Sequence, residues 1–249
     1  MRSRGFATGV RLTTGVAIAL LLSNPAHAQD ISVNFGQGTG LTERVIQLIA
    51  LMTVLSLAPS ILVMMTSFTR IVVVLSLLRT ALGTGTAPPN AVIVSLALFL
   101  TAFVMGPAFQ QAYDVGIKPM IANEITAEQA FERSSGPFKE FMLKNVRDKD
   151  LKLFNDLAKE PVPATPEGVS LRILIPAFMI SELKRAFEIG FLLFLPFLII
   201  DLVVASVLMS MGMMMLPPVT VSLPFKLIFF VLVDGWSLVA GSLVQSYGV

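Results

Sequence analysis

The chain has 249 residues, of which 55% are hydrophobic and 14% are charged, and its mean hydropathy is +0.80. This composition excludes an ordinary soluble domain and is typical of a membrane protein. The chain has no Cys and a single His, which excludes disulfides and metal sites built on thiolate ligands.

Residues 1–28 have the pattern of a cleaved signal peptide. Three arginines among the first eleven residues are followed by an apolar run at 16–22 and by the small-x-small sequence Ala-His-Ala. We expect cleavage between Ala28 and Gln29. The alternative is an uncleaved first helix, but the apolar run is too short to span a bilayer well.

Cleavage would change the chemistry that the chain can perform. It removes the one His and three of the 18 bases, leaving 15 bases and 16 acids, a formal charge of −1. The basic balance of the full chain therefore does not indicate a nucleic-acid partner. Without His or Cys, imidazole zinc sites and Ser-His or Cys-His nucleophiles are excluded. We expect no catalytic residue, no metal and no cofactor.

A first helical hairpin region is predicted over residues 45–113, after a loose Gly-rich N-terminus at 29–44. Residues 45–69 carry no charge, and Pro59 interrupts them. We expect one helix to end near Ala58 and a second to start at Pro59-Ser60 and run through Arg70. This arginine needs either a partner or a water-filled surface, or else it snorkels to a membrane edge.

A second apolar helix is predicted over 91–109, with Gly106-Pro107 kinking or ending it. Residues 114–170 differ sharply, because they hold 18 of the 34 acidic and basic side chains. We interpret them as a small, solvated helical insert in which Thr126 caps a helix. The signal peptide and the order of spans place this insert on the periplasmic side.

Residues 171–249 are predicted to form a charged helix, a methionine-rich turn and a C-terminal hairpin. Four charges lie three or four residues apart near the start, so they can neutralise one another along one helix flank. They form either a local ion-pair patch or a polar belt between subunits or along a channel. These residues are Glu182, Lys184, Arg185 and Glu188.

Three further charges, Asp201, Lys226 and Asp234, are each alone in apolar sequence. An isolated ion in hydrocarbon is costly, so pairing is the default expectation. Asp201 and Lys226 lie 12 and 13 residues from Met213, which places them at the same depth in a hairpin. We predict an ion pair between them, within one subunit or between neighbours. The alternative is that each faces water.

Five methionines fall within seven residues at the predicted turn: Met209, Met211, Met213, Met214 and Met215. Thioethers are soft ligands that suit Cu(I), but copper sites usually add His or Cys. Methionine also fills irregular gaps in a core. The third interpretation is a flexible apolar gasket, formed by several copies of the turn around an axis. The absence of His and Cys favours the gasket over a metal site.

Two long stretches, Leu57–Arg79 and Ile175–Pro218, resemble the hallmark stretches of the FliP family of flagellar biosynthetic proteins and their type III secretion counterparts. The resemblance extends from about Thr42 to the C-terminus and includes the position of the charged insert. A cleaved signal peptide is itself typical of the flagellar members.

The resemblance implies an all-α fold of membrane-associated helical hairpins that assemble into a cone-like multimer. It implies a pentamer of this chain together with FliQ and FliR, beside the export proteins FlhA and FlhB, in the inner membrane at the flagellar basal body. Unfolded substrates would pass through the channel, which the methionine-rich turn would constrict. The charged helix would correspond to the four residues at 182–188. No nucleotide site is expected, and no Gly-x4-Gly-Lys-Ser/Thr run is present.

Three other classes of protein remain as alternatives. A secondary transporter would need internal repeats, which the chain does not show convincingly. An intramembrane protease would need a catalytic pair such as Asp201 and Asp234, but neither lies in a recognisable catalytic context. A copper carrier would use the methionines.

Overall fold

The computed structural model describes residues 63–159, 168–213 and 215–248, with residue 165 and scattered positions from 45 to 60. All regular secondary structure in these residues is helical, which confirms the all-α prediction. The predicted cleavage site at Ala28 and Gln29 and the N-terminus at 29–44 lie outside the described residues. The long helices lie in one compact unit, residues 54–249.

Helix α1 spans Phe68–Leu82 and ends at Gly83, whose left-handed φ of 74° suits glycine. The predicted boundary between Ala58 and Pro59 lies outside the described residues, and Ser60 is helical. The prediction that this helix runs without a break through Arg70 is wrong, because a turn at 65–67 precedes α1. There the Thr66 hydroxyl donates to the Val63 carbonyl at 3.3 Å and accepts from the Phe68 amide at 3.4 Å. These local bonds compete with the helical ladder.

The second long helix consists of α2 at Asn90–Ala112, a π-helix at Tyr113–Ile117 and α3 at Lys118–Ile121. Of the two alternatives predicted at Gly106-Pro107, a kink or a helix end, the helix end is wrong, because Pro107 lies inside α2. In a membrane-spanning helix, proline removes one backbone hydrogen bond, but the other backbone hydrogen bonds remain and the helix continues. The predicted boundary between 113 and 114 therefore falls inside a continuous 32-residue helix.

The charged insert forms two helices, α4 at Ala127–Asn145 and α5 at Asp148–Ala158. Thr126 caps α4 in a capping box with Gln129, as predicted. Both helices pack on the N-terminal half of the next long helix, around a small core. This core includes Met142, Leu174 and Phe178.

Helix α6 spans Leu171–Ser210, 40 residues that include Pro176 and Pro196. It packs mainly against α1, and the larger core lies between these helices and α2. Gly190 makes the crossing close, because a Cβ atom there would lie 2.3 Å from Leu77 Cδ1. Helix α6 therefore supports both cores of this unit.

The predicted C-terminal apolar segment forms two helices, α7 at Pro218–Leu232 and α8 at Gly235–Gln245. They are bent by 63° around Asp234, whose φ of 49° is left-handed. Within the described residues, α2 to α3 and α6 are long and apolar enough to cross a membrane, and a third span exists if the bent pair counts as one.

Candidate functional site: buried charges and a methionine turn along helix α6

Arg70 and Glu182 form an ion pair inside the helix bundle. Arg70 Nε donates to Glu182 Oε2 at 2.9 Å, and Nη2 donates to Oε1 at 2.5 Å. The two side chains are 1% and 0% exposed. A two-bond geometry of this kind is what compensates for the desolvation of buried charges. Arg70 therefore has a partner, and the snorkelling interpretation is wrong.

The end of α8 completes this pair. The Tyr247 hydroxyl donates to Glu182 Oε2, and Arg70 Nη1 donates to Ser246 Oγ at 2.9 Å. The guanidinium lies 3.8 Å from the Tyr247 ring centre, and the Phe141 ring stacks on Tyr247 with the ring centres 5.6 Å apart. Sequence reasoning did not find this cluster, because 112 residues separate Arg70 from Glu182.

The prediction that the four charges at 182–188 neutralise one another is only partly correct. Lys184 and Glu188 do form an exposed ion pair at 3.6 Å. Glu182 instead faces Arg70, so it does not pair with Arg185. Arg185 is half-buried. The group thus divides into one buried acid and a solvated flank.

Asp201 and Lys226 lie together within one chain. Lys226 Nζ donates to Asp201 Oδ2 at 2.7 Å and to the Ala81 carbonyl at 3.2 Å, near the end of α1. The Ser222 hydroxyl donates to Asp201 Oδ1 at 2.5 Å. Lys226 is 4% exposed, whereas Asp201 is 27% exposed. A cation at the end of α1 also satisfies carbonyls that lack helical partners.

A third ionic contact joins the insert to α6. Arg147 Nε and Nη2 donate to Asp150 at 2.7 and 2.9 Å, and the Ser181 hydroxyl donates to Asp150 Oδ2 at 2.6 Å. Burial raises the pKa of the Asp150 carboxyl, but the hydrogen bonds from Ser181 and Arg147 outweigh it, so this pKa lies below the ordinary value. The insert is therefore hydrogen-bonded to helix α6 at Ser181, the residue before Glu182.

The methionine turn ends α6. Gly212, with a φ of 73°, and the Met213 amide, which donates to the Leu208 carbonyl at 3.0 Å, form a helix-ending Schellman motif. The side chains of Met209, Met211 and Met213 are exposed, and that of Met215 is 98% exposed. Met214 lies outside the described residues. The turn therefore does not fill this chain's own core.

Asp234 is an exposed residue at the bend between α7 and α8. The carboxylate of Asp201 is instead engaged by Lys226 and Ser222. Among the described residues, no group of three or more His, Cys, Asp or Glu side chains could hold a metal ion. The geometry thus brings together Arg70 with Glu182 and Asp201 with Lys226, but not Asp201 with Asp234.

These features define a class of protein: an α-helical membrane protein whose buried charges are paired across helices and whose longest helix ends in an exposed methionine turn. Comparisons with known proteins agree and are more specific. The model of the FliP family matches residues 51–243, which is most of the chain.

Several curated relatives carry the name flagellar biosynthetic protein FliP. One from Caulobacter vibrioides is 62% identical over 238 residues, covering 96% of this chain and 90% of the relative. One from Bacillus subtilis is 55% identical, and the match covers 81% of this chain and 91% of the relative. One from Aquifex aeolicus is 50% identical, and the match covers 93% of this chain and 98% of the relative. This chain belongs to the FliP family and is a membrane-bound component of flagellar biosynthesis.

Proposed function

We propose that this chain is a core, pore-forming subunit of the flagellar type III protein export gate, which passes unfolded flagellar substrates across the inner membrane. The observation that carries this proposal is the family match over residues 51–243, together with the exposed apolar surface of a chain that pairs Arg70 with Glu182 and Lys226 with Asp201 internally. The protein acts as a conduit and not as an enzyme, and it needs no cofactor.

The exposed surface of α6 supports assembly with other subunits. Only 11% of its most apolar 18-residue window is buried within the chain. A cleft of about 470 Å³ between α6 and α7 is lined by apolar side chains, among them Val203, Val207 and Phe225. We assign this surface to neighbouring copies within a pentamer of this chain, and to FliQ and FliR. FlhA, FlhB and membrane lipid would contact the outside of the assembly.

The methionine turn suits a constriction in such an assembly. Methionine side chains are flexible and polarizable, so a ring of them closes around a gap and deforms around a passing chain. Met209, Met211, Met213 and Met215 already face outward in one subunit. We assign Met214 to the same ring. The exposed pair of Lys184 with Glu188, and Arg185 beside it, would form a polar belt between subunits or along the channel.

The composition of the purified complex tests the proposal against its alternatives. Mass photometry and native mass spectrometry should find several copies of this chain with two smaller membrane partners. A monomer that carries copper, cleaves a membrane substrate or transports a solute alone would overturn the proposal.

The gasket has a separate test. Replacing Met213, Met214 and Met215 by Ala should leave the assembly intact and make vesicles or cells leaky to ions. Met120→Ala, an exposed methionine on α3, is the matched control and should leave conductance unchanged. Unchanged leakage in the triple variant would contradict the gasket.

The chain has no Cys, so single introduced thiols test the orientation cleanly. Lys152→Cys on the exposed side of α5 should react with a membrane-impermeant maleimide in intact cells whose outer membrane is permeabilised. Labelling only after the inner membrane is opened would contradict a periplasmic insert.

A further inference from the structure

The sulfur atoms of the methionine turn have a chemistry that the gasket does not use. Met209, Met211 and Met213 are 60%, 63% and 44% exposed, and Met215 is 98% exposed. Peroxides oxidise thioethers to sulfoxides, and the oxidant must reach the sulfur atom to do so. With no Cys in the chain, no thiol of this subunit competes for the oxidant. The turn is therefore a cluster of oxidisable atoms at the surface of the subunit.

Buried methionines provide a reference within the same chain. Met105 and Met142 are both 0% exposed, and Met142 lies in the small core that the insert forms with α6. Peroxide reaches such a sulfur atom only when the packed helices open locally. The structure therefore predicts an order of oxidation, in which the methionines of the turn react before Met105 and Met142.

Oxidation reverses the property on which a gasket depends. An apolar constriction excludes ions because water leaves it. A sulfoxide is polar, and its oxygen accepts hydrogen bonds from water, so a ring of sulfoxides stays wet. The backbone of the turn does not depend on sulfur, since Gly212 has a left-handed φ of 73° and the Met213 amide donates to the Leu208 carbonyl at 3.0 Å. The turn therefore keeps its shape while its surface becomes polar.

We propose that the methionine turn is a site of reversible oxidation, at which peroxide converts thioethers to sulfoxides and opens the gasket to ions. The step transfers one oxygen atom: a sulfur–oxygen bond forms, the oxygen–oxygen bond of the peroxide breaks, and water leaves. Sulfur is oxidised and the peroxide is reduced. Methionine sulfoxide reductases reverse the step with a dithiol, which becomes a disulfide as the oxygen leaves as water. This inference rests on the gasket proposed above.

The first readout is chemical and does not depend on the gasket. The native complex, purified in mild detergent with a metal chelator, is treated with hydrogen peroxide for increasing times. Peptide mass spectrometry then measures the added oxygen at each methionine. The methionines of the turn should be oxidised well before Met105 and Met142. Oxidation of the turn no faster than that of the two buried methionines would overturn the proposal.

The second readout is the ion leak of vesicles that contain the complex. The vesicles consist of diphytanoyl phosphatidylcholine, whose acyl chains have no double bonds. Peroxide should raise the leak roughly tenfold, since a polar group left dry without a partner disfavours the closed state by a comparable factor. Methionine sulfoxide reductases with dithiothreitol should then lower the leak again.

Two variants locate the effect. Replacing all five methionines of the turn by Leu removes the sulfur atoms and keeps apolar side chains, so the leak of this variant should not change on addition of peroxide. Met120→Leu removes an exposed sulfur atom outside the turn and is the matched control. Its leak should respond to peroxide as that of the wild-type protein does.

The outcomes separate the oxidation from the gasket. An equal response of the wild-type protein and the five-Leu variant, or a leak that the reductases do not lower, would overturn the proposal. An oxidised turn without a leak would overturn it too, provided that the triple Ala variant described above does leak. If the triple Ala variant does not leak either, the gasket itself fails, and the oxidation switch fails with it.

Discussion

The two buried ion pairs on α6 differ in how completely the chain itself encloses them. Arg70 and Glu182 are 1% and 0% exposed, and both are bonded to further groups of the same chain. Lys226 is also buried, at 4% exposed, but its partner Asp201 is 27% exposed. The Arg70–Glu182 pair is therefore fully enclosed by one subunit, whereas the Asp201–Lys226 pair reaches the surface of the subunit at Asp201.

This difference separates stability from assembly. An enclosed pair that loses one partner leaves a charge with no water and no alternative partner. A pair in which one side chain is 27% exposed, as Asp201 is, retains access to solvent or to a neighbouring subunit. We expect Arg70 and Glu182 to determine the stability of each subunit, and Asp201 with Lys226 to affect both the subunit and the surface that it presents.

Glu182→Ala is expected to have the largest effect. It leaves Arg70 buried without a counter-charge and should lower the free energy of unfolding by about 3–5 kcal/mol. Unfolding in mixed detergent micelles measures this change. The double variant Arg70→Met with Glu182→Leu removes both charges and should recover much of the loss. A double variant less stable than Glu182→Ala would show that the pair itself stabilises the fold.

The exposed side of the second pair predicts a smaller and reversible effect. Asp201→Lys and Lys226→Asp should each lower stability and motility, and the two together should restore part of both. A motility assay with a parallel measurement of complex yield checks this expectation. If the double exchange restores nothing that either single exchange loses, the pair does not act as a pair.

Tyr247→Phe measures how much the hydroxyl that donates to Glu182 contributes to the stability of the subunit, because the charge of Glu182 is kept. The ring, its stack on Phe141 and its contact with Arg70 remain, and only the hydroxyl is lost, which contacts Glu182 and, at 3.4 Å, the Ser67 carbonyl. The expected loss is about 1–2 kcal/mol, since Glu182 keeps both bonds from Arg70. The same micelle titration measures it. A loss as large as that of Glu182→Ala would mean that the tyrosine, not the arginine, dominates the cluster.

We expect the exposed ion pair of Lys184 and Glu188 to contribute least to the stability of the subunit. Lys184→Ala should change the stability of the isolated subunit by less than about 0.5 kcal/mol, because water already solvates both charges. Melting curves of the purified chain check this value. A larger effect that appears only in the assembled complex would support the polar belt between subunits.

Local patterns predicted some of these features and hid others. Counting residues from the turn placed Asp201 opposite Lys226, since a hairpin pairs equal distances from its tip. The helix cap at Thr126 could also be predicted, because a cap depends only on residues close in sequence. Glu182 was assigned to Arg185 because the i, i+3 spacing offers a local partner, whereas Arg70 becomes adjacent only after α1 packs on α6. Local sequence could not decide between a kink and a helix end at Pro107 for the same reason, since tertiary packing decides whether a helix continues past proline.

The length of α6 limits where its two ion pairs can lie in a membrane. Glu182 and Asp201 are 19 residues apart on one continuous helix, a rise of about 28 Å at ~1.5 Å per residue. The hydrocarbon layer of a bilayer is about 30 Å thick. If α6 stands along the bilayer normal, the two pairs cannot both lie at the midplane. Either they mark the two polar edges of one hydrocarbon layer, or one of them stands outside it, surrounded by protein instead of lipid.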